Sequence, residues 1–219
     1  MPDILDDHID IYKSLRKIYD ESIYEGLKGP AITIKELFLD LLDSKANDYL
    51  LQSMNSVYAN KYYQIKDRIK KKDSFYEKLI RKDLGLKIVN QFSIVQNKMA
   101  LNDRKPEILN AIKEFDDLIG LRIVTELKAD CPNVYKLLLN SPEFFQNNQI
   151  EFLDLEDQPQ KMKNGLPIYR IKGKFQGLYL FELQIKSKID EAWGDMDHSI
   201  FYKDYSVSPI KDTVQVTMN

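Results

Sequence analysis

Residues 118–127 read LIGLRIVTEL. Apolar, β-branched side chains at neighbouring positions suit a strand buried on both faces, and such strands belong to sheets covered by helices. Arg122 sits in the middle of this run, where a charge is costly unless it meets a partner or a ligand. The segment therefore demands a covered sheet and a counter-charge or ligand for one guanidinium.

A second run, FELQIK at 181–186, alternates with period two. In a strand this puts Glu182, Gln184 and Lys186 on one face and Phe181, Leu183 and Ile185 on the other. Shorter strand signals lie in IEFLDL, IYRIKGKF and LYLFELQIK, and YYQIKDRIK at 62–70 reads as a strand or extended segment. Residues 4–60 carry apolar positions at helical spacing, with Gly and Pro only at Gly26 and in Lys28-Gly29-Pro30-Ala31. Two helices joined by a turn there are predicted. Helical patterns recur up to about Phe115, from Val134 to Phe145, and in DEAWGDMDHSIFYKDY. Strands and helices alternate only loosely, which predicts an α/β fold with a mixed sheet flanked by helices rather than a regular doubly wound one. The organisation expected is a helical N-terminal extension over 1–60, an α/β domain over 61–205, and a tail over 206–219 whose TVQVTMN would lead into a further segment.

A formal net charge of -2 over 219 residues gives no broad basic surface of the kind that DNA binding needs. No uncharged apolar stretch approaches 18 residues, and MPDILDDHIDIY lacks a basic start followed by an apolar run, so no membrane association is expected. One cysteine, Cys131, excludes an internal disulfide and fits a reducing compartment; a cytoplasmic protein is expected. Charge is nonetheless uneven: residues 61–82 hold nine Lys and Arg against three Asp and Glu. That concentration suits a compact anion such as a nucleotide polyphosphate. Within it, Ser74 and Glu77 have the spacing of a capping box, which would turn the amides of a helix start toward Arg68, Lys70 and Lys78. A wet, functionless helix face is the competing explanation. Should Asp117 and Glu182 approach across the sheet, they would form the paired hard-oxygen site that Mg2+ uses between phosphates.

Taken in order, RIKKKDSFYEKLIRK, DLIGLRIV and ELQIKSKIDEAWGDMDH resemble the synthetase domain of the RelA/SpoT family, the alarmone synthetases, over roughly Arg68 to Lys203. The resemblance implies a nucleotidyltransferase-like synthetase fold and a partner set of ATP and GDP or GTP. Arg68 and Arg122 would sandwich the adenine, and Lys70, Ser74, Lys78 and Arg81 would hold the phosphates. Asp117 and Glu182 would bind Mg2+, with Glu182 and Gln184 on the catalytic strand and Glu182 helping to deprotonate the attacking 3′-hydroxyl. On the acceptor side Tyr169 would stack on guanine, beside Lys186, Glu191, Asp197 and His198. Trp193 and His198 are as suited to packing as to ligand contact. The acceptor loop departs from the family's Gly-Tyr-x-Ser-x-His, with Ile171 and Gly173 where Ser and His would fall. Lys186 replaces the usual Arg, Glu191 falls where small members often have Asn, and Asp197 replaces the customary Glu. With only His8 and His198, and no His-Asp dipeptide, the hydrolase domain of bifunctional members is excluded. Two other readings stay open: a toxin-like relative that pyrophosphorylates the 3′ end of tRNA, and a nucleotide-binding regulatory module without catalysis. A homo-oligomer is compatible with either.

Overall fold

The two strand runs singled out by their sequence lie side by side. In the computed structural model, which describes residues 2–45, 63–81, 105–161 and 167–200, the run around Arg122 forms β2 (Ile119–Thr125) and FELQIK forms the centre of β6 (Tyr179–Ser187). They pair in parallel, with Gly120 opposite Glu182 and Arg122 opposite Gln184. β1 (Tyr63–Ile69) runs antiparallel to β2, and β5 (Pro167–Phe175) antiparallel to β6. β3 (Ile150–Phe152) pairs with the far side of β5, and the two-residue β4 (Gln160–Lys161) with its start. The strand order is β1-β2-β6-β5-β3, a mixed sheet.

Period-two alternation then sorts the side chains. Ile119, Leu121 and Ile123 of β2, Phe181, Leu183 and Ile185 of β6, and Ile171 and Phe175 of β5 are buried on one face. Helices α1 (Pro2–Ser22), α2 (Lys28–Lys45), α5 (Cys131–Leu139) and α6 (Pro142–Asn147) contribute to the same core. At its centre Phe38 of α2 lies 5.7 Å from Phe145, 6.3 Å from Phe152 and 6.2 Å from Phe181, ring centre to ring centre. Each such ring contributes about 1.5–3 kcal/mol by leaving water. Two polar contacts fix α2 to β1: Lys35 pairs with Asp67 at 2.8 Å, and the Tyr63 hydroxyl donates to Asp43. α3 (Lys72–Arg81) leans on α1 through Tyr19 and Phe75, stacked at 4.3 Å, while the Tyr19 hydroxyl donates to the Lys70 carbonyl at 2.5 Å. α4 (Lys105–Lys113) buries Ile108 and Ile112 in the same cluster, and α7 (Lys188–Ile200) follows β6 directly.

Several boundaries differ from those predicted. The turn between the first helices falls at Ile23–Leu27, and Lys28-Gly29-Pro30 opens α2 instead of linking it. Pro30 is tolerated there because the first turn's amides have no intrahelical acceptor in any case. The helix expected from Val134 to Phe145 is two, broken at Asn140-Ser141, since Pro142 disfavours a helical Ser141, found at φ -122° and ψ 39°. α3 begins two residues before Ser74, which stands exposed in its first turn, so the predicted capping box does not form the helix start. Residues 46–60 of the expected extension, residues 162–166 and the expected tail over 206–219 lie outside the described residues. Among those described, no helix is long and apolar enough to cross a membrane.

Candidate active site

The sheet face opposite the core carries the polar alternate positions: Lys66 and Arg68 on β1, Gly120 and Arg122 on β2, Glu182, Gln184 and Lys186 on β6, and Arg170 and Lys172 on β5. A cleft of about 260 Å³ opens on it, lined chiefly by Lys66, Arg68, Gly120, Arg122, Glu182 and Gln184. Its floor depends on Gly120. A Cβ there would stand 3.0 Å from Arg68 Nε and 3.1 Å from its Cγ, so the absent side chain lets Arg68 lie close over β2. Both guanidinium groups predicted to take a base therefore line one cavity, and planar guanidinium is the cation best suited to stacking.

At the N-terminal end of β2 the charges converge. Lys70 Nζ is 2.8 Å from Asp117 Oδ2, and Lys78 Nζ is 2.7 Å from Asp117 Oδ1. Burial would push the Asp117 carboxyl up, but the hydrogen bonds and positive charges of the two lysines outweigh it and hold it below the ordinary aspartate range. Asp116 extends the cluster, 3.4 Å from Lys78 and 2.8 Å from Lys172. Its carboxyl is likewise held low, burial being outweighed by Lys172 and Lys78. Two lysines thus stand together beside the residues leading into β2, largely shielded from solvent and aligned by one carboxylate. Such a pair is ready to exchange that carboxylate for phosphate oxygens.

Glu182 is largely buried and held from two sides, by Arg170 Nε at 3.2 Å and by the Gln184 amide nitrogen at 2.7 Å. The other end of that amide, Gln184 Oε1, is buried in the cleft wall without a partner among the described residues. An orphaned acceptor in a cleft is a place for a ligand donor. Asp117 and Glu182 supply hard carboxylate oxygens, the donor type Mg2+ takes one or two at a time alongside phosphates and water. Among the described residues no group of three or more His, Cys, Asp or Glu side chains is placed to hold a metal by itself.

The acceptor side is arranged differently from the sequence expectation. Tyr169 is in register with Ile185 and shares the parity of the buried Ile171, so it stands on the helix-covered face, its ring 5.2 Å from Tyr135 of α5. It does not meet the cleft. Ile171 is fully buried, and a Cβ on Gly173 would come within 2.2 Å of the Phe181 ring. The two apparent departures from the family's loop are thus core positions: a Ser at 171 would bury a hydroxyl among apolar side chains, and a His at 173 would have no room beside Phe181. Arg170 and Lys172, which alternate with them, reach the cleft side and were not singled out; the I-x-G-x-F alternation carried that signal. The Glu191 carboxylate is engaged by Arg122 Nη1 at 2.9 Å and Lys66 Nζ at 2.7 Å, at the β1–β2 side of the cleft. Lys186 stands on the cleft face, its ammonium beneath Gly194 of α7. The side chains of Arg81, Asp197 and His198 lie outside what the structure describes.

Residues 67–207 match the family model described as a region found in RelA/SpoT proteins. No curated protein matches the chain. Among solved structures, small alarmone synthetase 1 from Bacillus subtilis is 17% identical, covering 89% of this chain and 87% of its own, with a TM-score of 0.52. The same enzyme bound to its product pppGpp gives 17%, 89%, 88% and 0.51. A GTP pyrophosphokinase family protein from Streptococcus pneumoniae gives 16%, 89%, 85% and 0.50. Identities this low carry the fold alone. The family match spans well over half of the chain and includes both the lysine-carboxylate cluster and the strand bearing Glu182, and on that ground the chain belongs to the RelA/SpoT family.

Proposed function

We propose that this protein transfers the β,γ-pyrophosphate of ATP to the 3′-hydroxyl of GDP or GTP, releasing AMP. The observation that carries the proposal is that one sheet face holds a guanidinium-lined cleft and a largely buried glutamate, with a lysine pair on the carboxylate just ahead of β2. Arg68 and Arg122 would bracket the adenine, with Gln184 Oε1 accepting from a donor on the nucleotide. Lys70 and Lys78 would turn from Asp117 to the phosphates, the lysines' charge opposing the negative charge of the transferring group. Small alarmone synthetase 1 of Bacillus subtilis has been solved bound to AMPCPP and to pppGpp, which supports nucleotides at this kind of site.

In the reaction the acceptor's 3′-oxygen attacks the β-phosphorus of ATP, the bond from that phosphorus to the α-β bridging oxygen breaks, and AMP leaves with that oxygen. The hydroxyl proton passes to the Glu182 carboxylate, which Arg170 and Gln184 hold in place. Asp117 and Glu182 would hold a Mg2+ ion. Such an ion would supply neutralisation of the phosphate charge. The test is to incubate the protein with γ-labelled ATP and GDP, GTP or bulk tRNA and separate products by size. Label on the guanosine nucleotides with matching AMP is expected; label on tRNA alone would overturn the acceptor assignment.

A further inference from the structure

Lys66 and Arg122 stand directly opposite each other on the antiparallel strands β1 and β2. Side chains in that relation have Cβ atoms about 4.5–5.5 Å apart, and like charges so placed repel. Between the two cations stands Glu191. It comes from the first turn of α7, is 8% exposed, and places Oε1 on Arg122 at 2.9 Å and Oε2 on Lys66 at 2.7 Å. Burial would raise its carboxyl, but the hydrogen bonds and charges of Lys66 and Arg122 outweigh that and hold it ionised. Gly194, three residues on and on the same helical face, faces the Lys186 ammonium, at 3.5 Å from where its Cβ would be. α7 thus lies against the ends of β2 and β6 with one anion aimed at the base side of the cleft.

We propose that Glu191 is a positioning residue for nucleobase binding: by bridging Lys66 and Arg122 it fixes the plane of the Arg122 guanidinium against which the base stacks. The inference rests on the ATP-binding role given above to the cleft. It differs from a simple fold contact in a measurable way, because it touches base affinity and leaves phosphate affinity alone. The phosphate-side lysines, Lys70 and Lys78, are held by a separate carboxylate.

Two probes separate the cases on the full chain: a nonhydrolysable ATP analogue, and inorganic tripolyphosphate, which has no base. Glu191→Ala should weaken the analogue about tenfold, the loss expected when a charged pair loses one partner. Tripolyphosphate affinity should stay within about twofold, and in turnover KM for ATP should rise with kcat little changed. Glu191→Gln, which keeps the acceptor oxygen but not the charge, should fall between wild type and Glu191→Ala, and it carries the comparison if the alanine variant does not fold. Equal weakening of both probes, or unchanged affinity for the analogue in the folded variants, would overturn the inference. Failure of the wild-type protein to bind the analogue would instead overturn the ATP-binding role on which it stands.

Discussion

Lys78 Nζ lies 2.7 Å from Asp117 Oδ1, joining the second turn of α3 to the residues leading into β2. The same short helix carries Lys72, whose partner is Asp20 of α1 at 3.0 Å, with both side chains close to half exposed. Their sequence neighbourhood is equally basic; their surroundings are not. Lys78→Ala should therefore weaken binding of an ATP analogue by about tenfold or more, since a charge-assisted bond in a part-buried site is lost. Lys72→Ala should leave binding unchanged and cost at most about 1 kcal/mol of stability, as exposed ion pairs do. Titration calorimetry paired with urea unfolding measures both. Equal losses of affinity would reduce the cluster to a diffuse electrostatic patch.

The two sheet glycines make opposite predictions. Gly173→Ala forces a methyl group into the Phe181 ring within the core, and overpacking of this kind costs about 1–3 kcal/mol. Urea unfolding should show that loss. Gly120→Ala meets only the Arg68 side chain, so it should leave the unfolding midpoint nearly unchanged while weakening ATP-analogue binding by about tenfold or less, through displacement of one guanidinium. A stability loss at Gly120 larger than at Gly173 would contradict the division of the sheet into a packed and an open face.

That division was legible in the sequence for β2 and β6, because Glu182, Gln184 and Lys186 alternate cleanly with three apolar side chains. In β5 the family's loop pattern and the alternation point to different residues: the loop pattern singles out Tyr169, whereas Tyr169 has the parity of Ile171 and Phe175, and a one-residue slip exchanges faces. Helix ends were harder, because Pro30 and Ser74 have the chemistry of boundaries yet sit inside first turns, where the same residues are also favourable. The ion pairs Arg170–Glu182 and Lys66–Glu191 join residues 12 and 125 positions apart, and no local pattern announces them.

Tyr169 and Arg170 therefore exchange their expected importance. Tyr169 packs its ring beside Tyr135 on the helix-covered face, so Tyr169→Phe and Tyr169→Leu alike should leave the KM for the acceptor within about twofold of wild type, although Leu lacks the ring a guanine would stack on. Arg170→Ala removes a guanidinium from the Glu182 carboxylate and should lower kcat by about tenfold or more, in the range lost with general acid-base groups and their supports. Steady-state AMP release with varied GDP measures both. An acceptor KM raised strongly by Tyr169→Leu but not by Tyr169→Phe, with Arg170→Ala silent, would place the acceptor on the opposite face.

Acid should reveal the charge cluster around Asp117. Its carboxyl is held below the ordinary aspartate value in the folded protein: burial raises it, and Lys70 and Lys78 outweigh burial. A group whose folded pKa is depressed contributes stability above its unfolded pKa and loses it as pH falls through the folded one, because the unfolded chain takes up the proton first. With an unfolded aspartate near about 3.9, the contribution should be complete above about pH 5 and decline below about pH 4. Asp117→Asn lacks it at every pH, so the variant should unfold at a lower temperature than wild type at pH 7, with the gap narrowing from about pH 4 downward. Thermal unfolding of both proteins from pH 7 to pH 3 measures that gap. A gap that stays constant to pH 3 would mean that Asp117 does not stabilise the fold through its ionised pairs with Lys70 and Lys78.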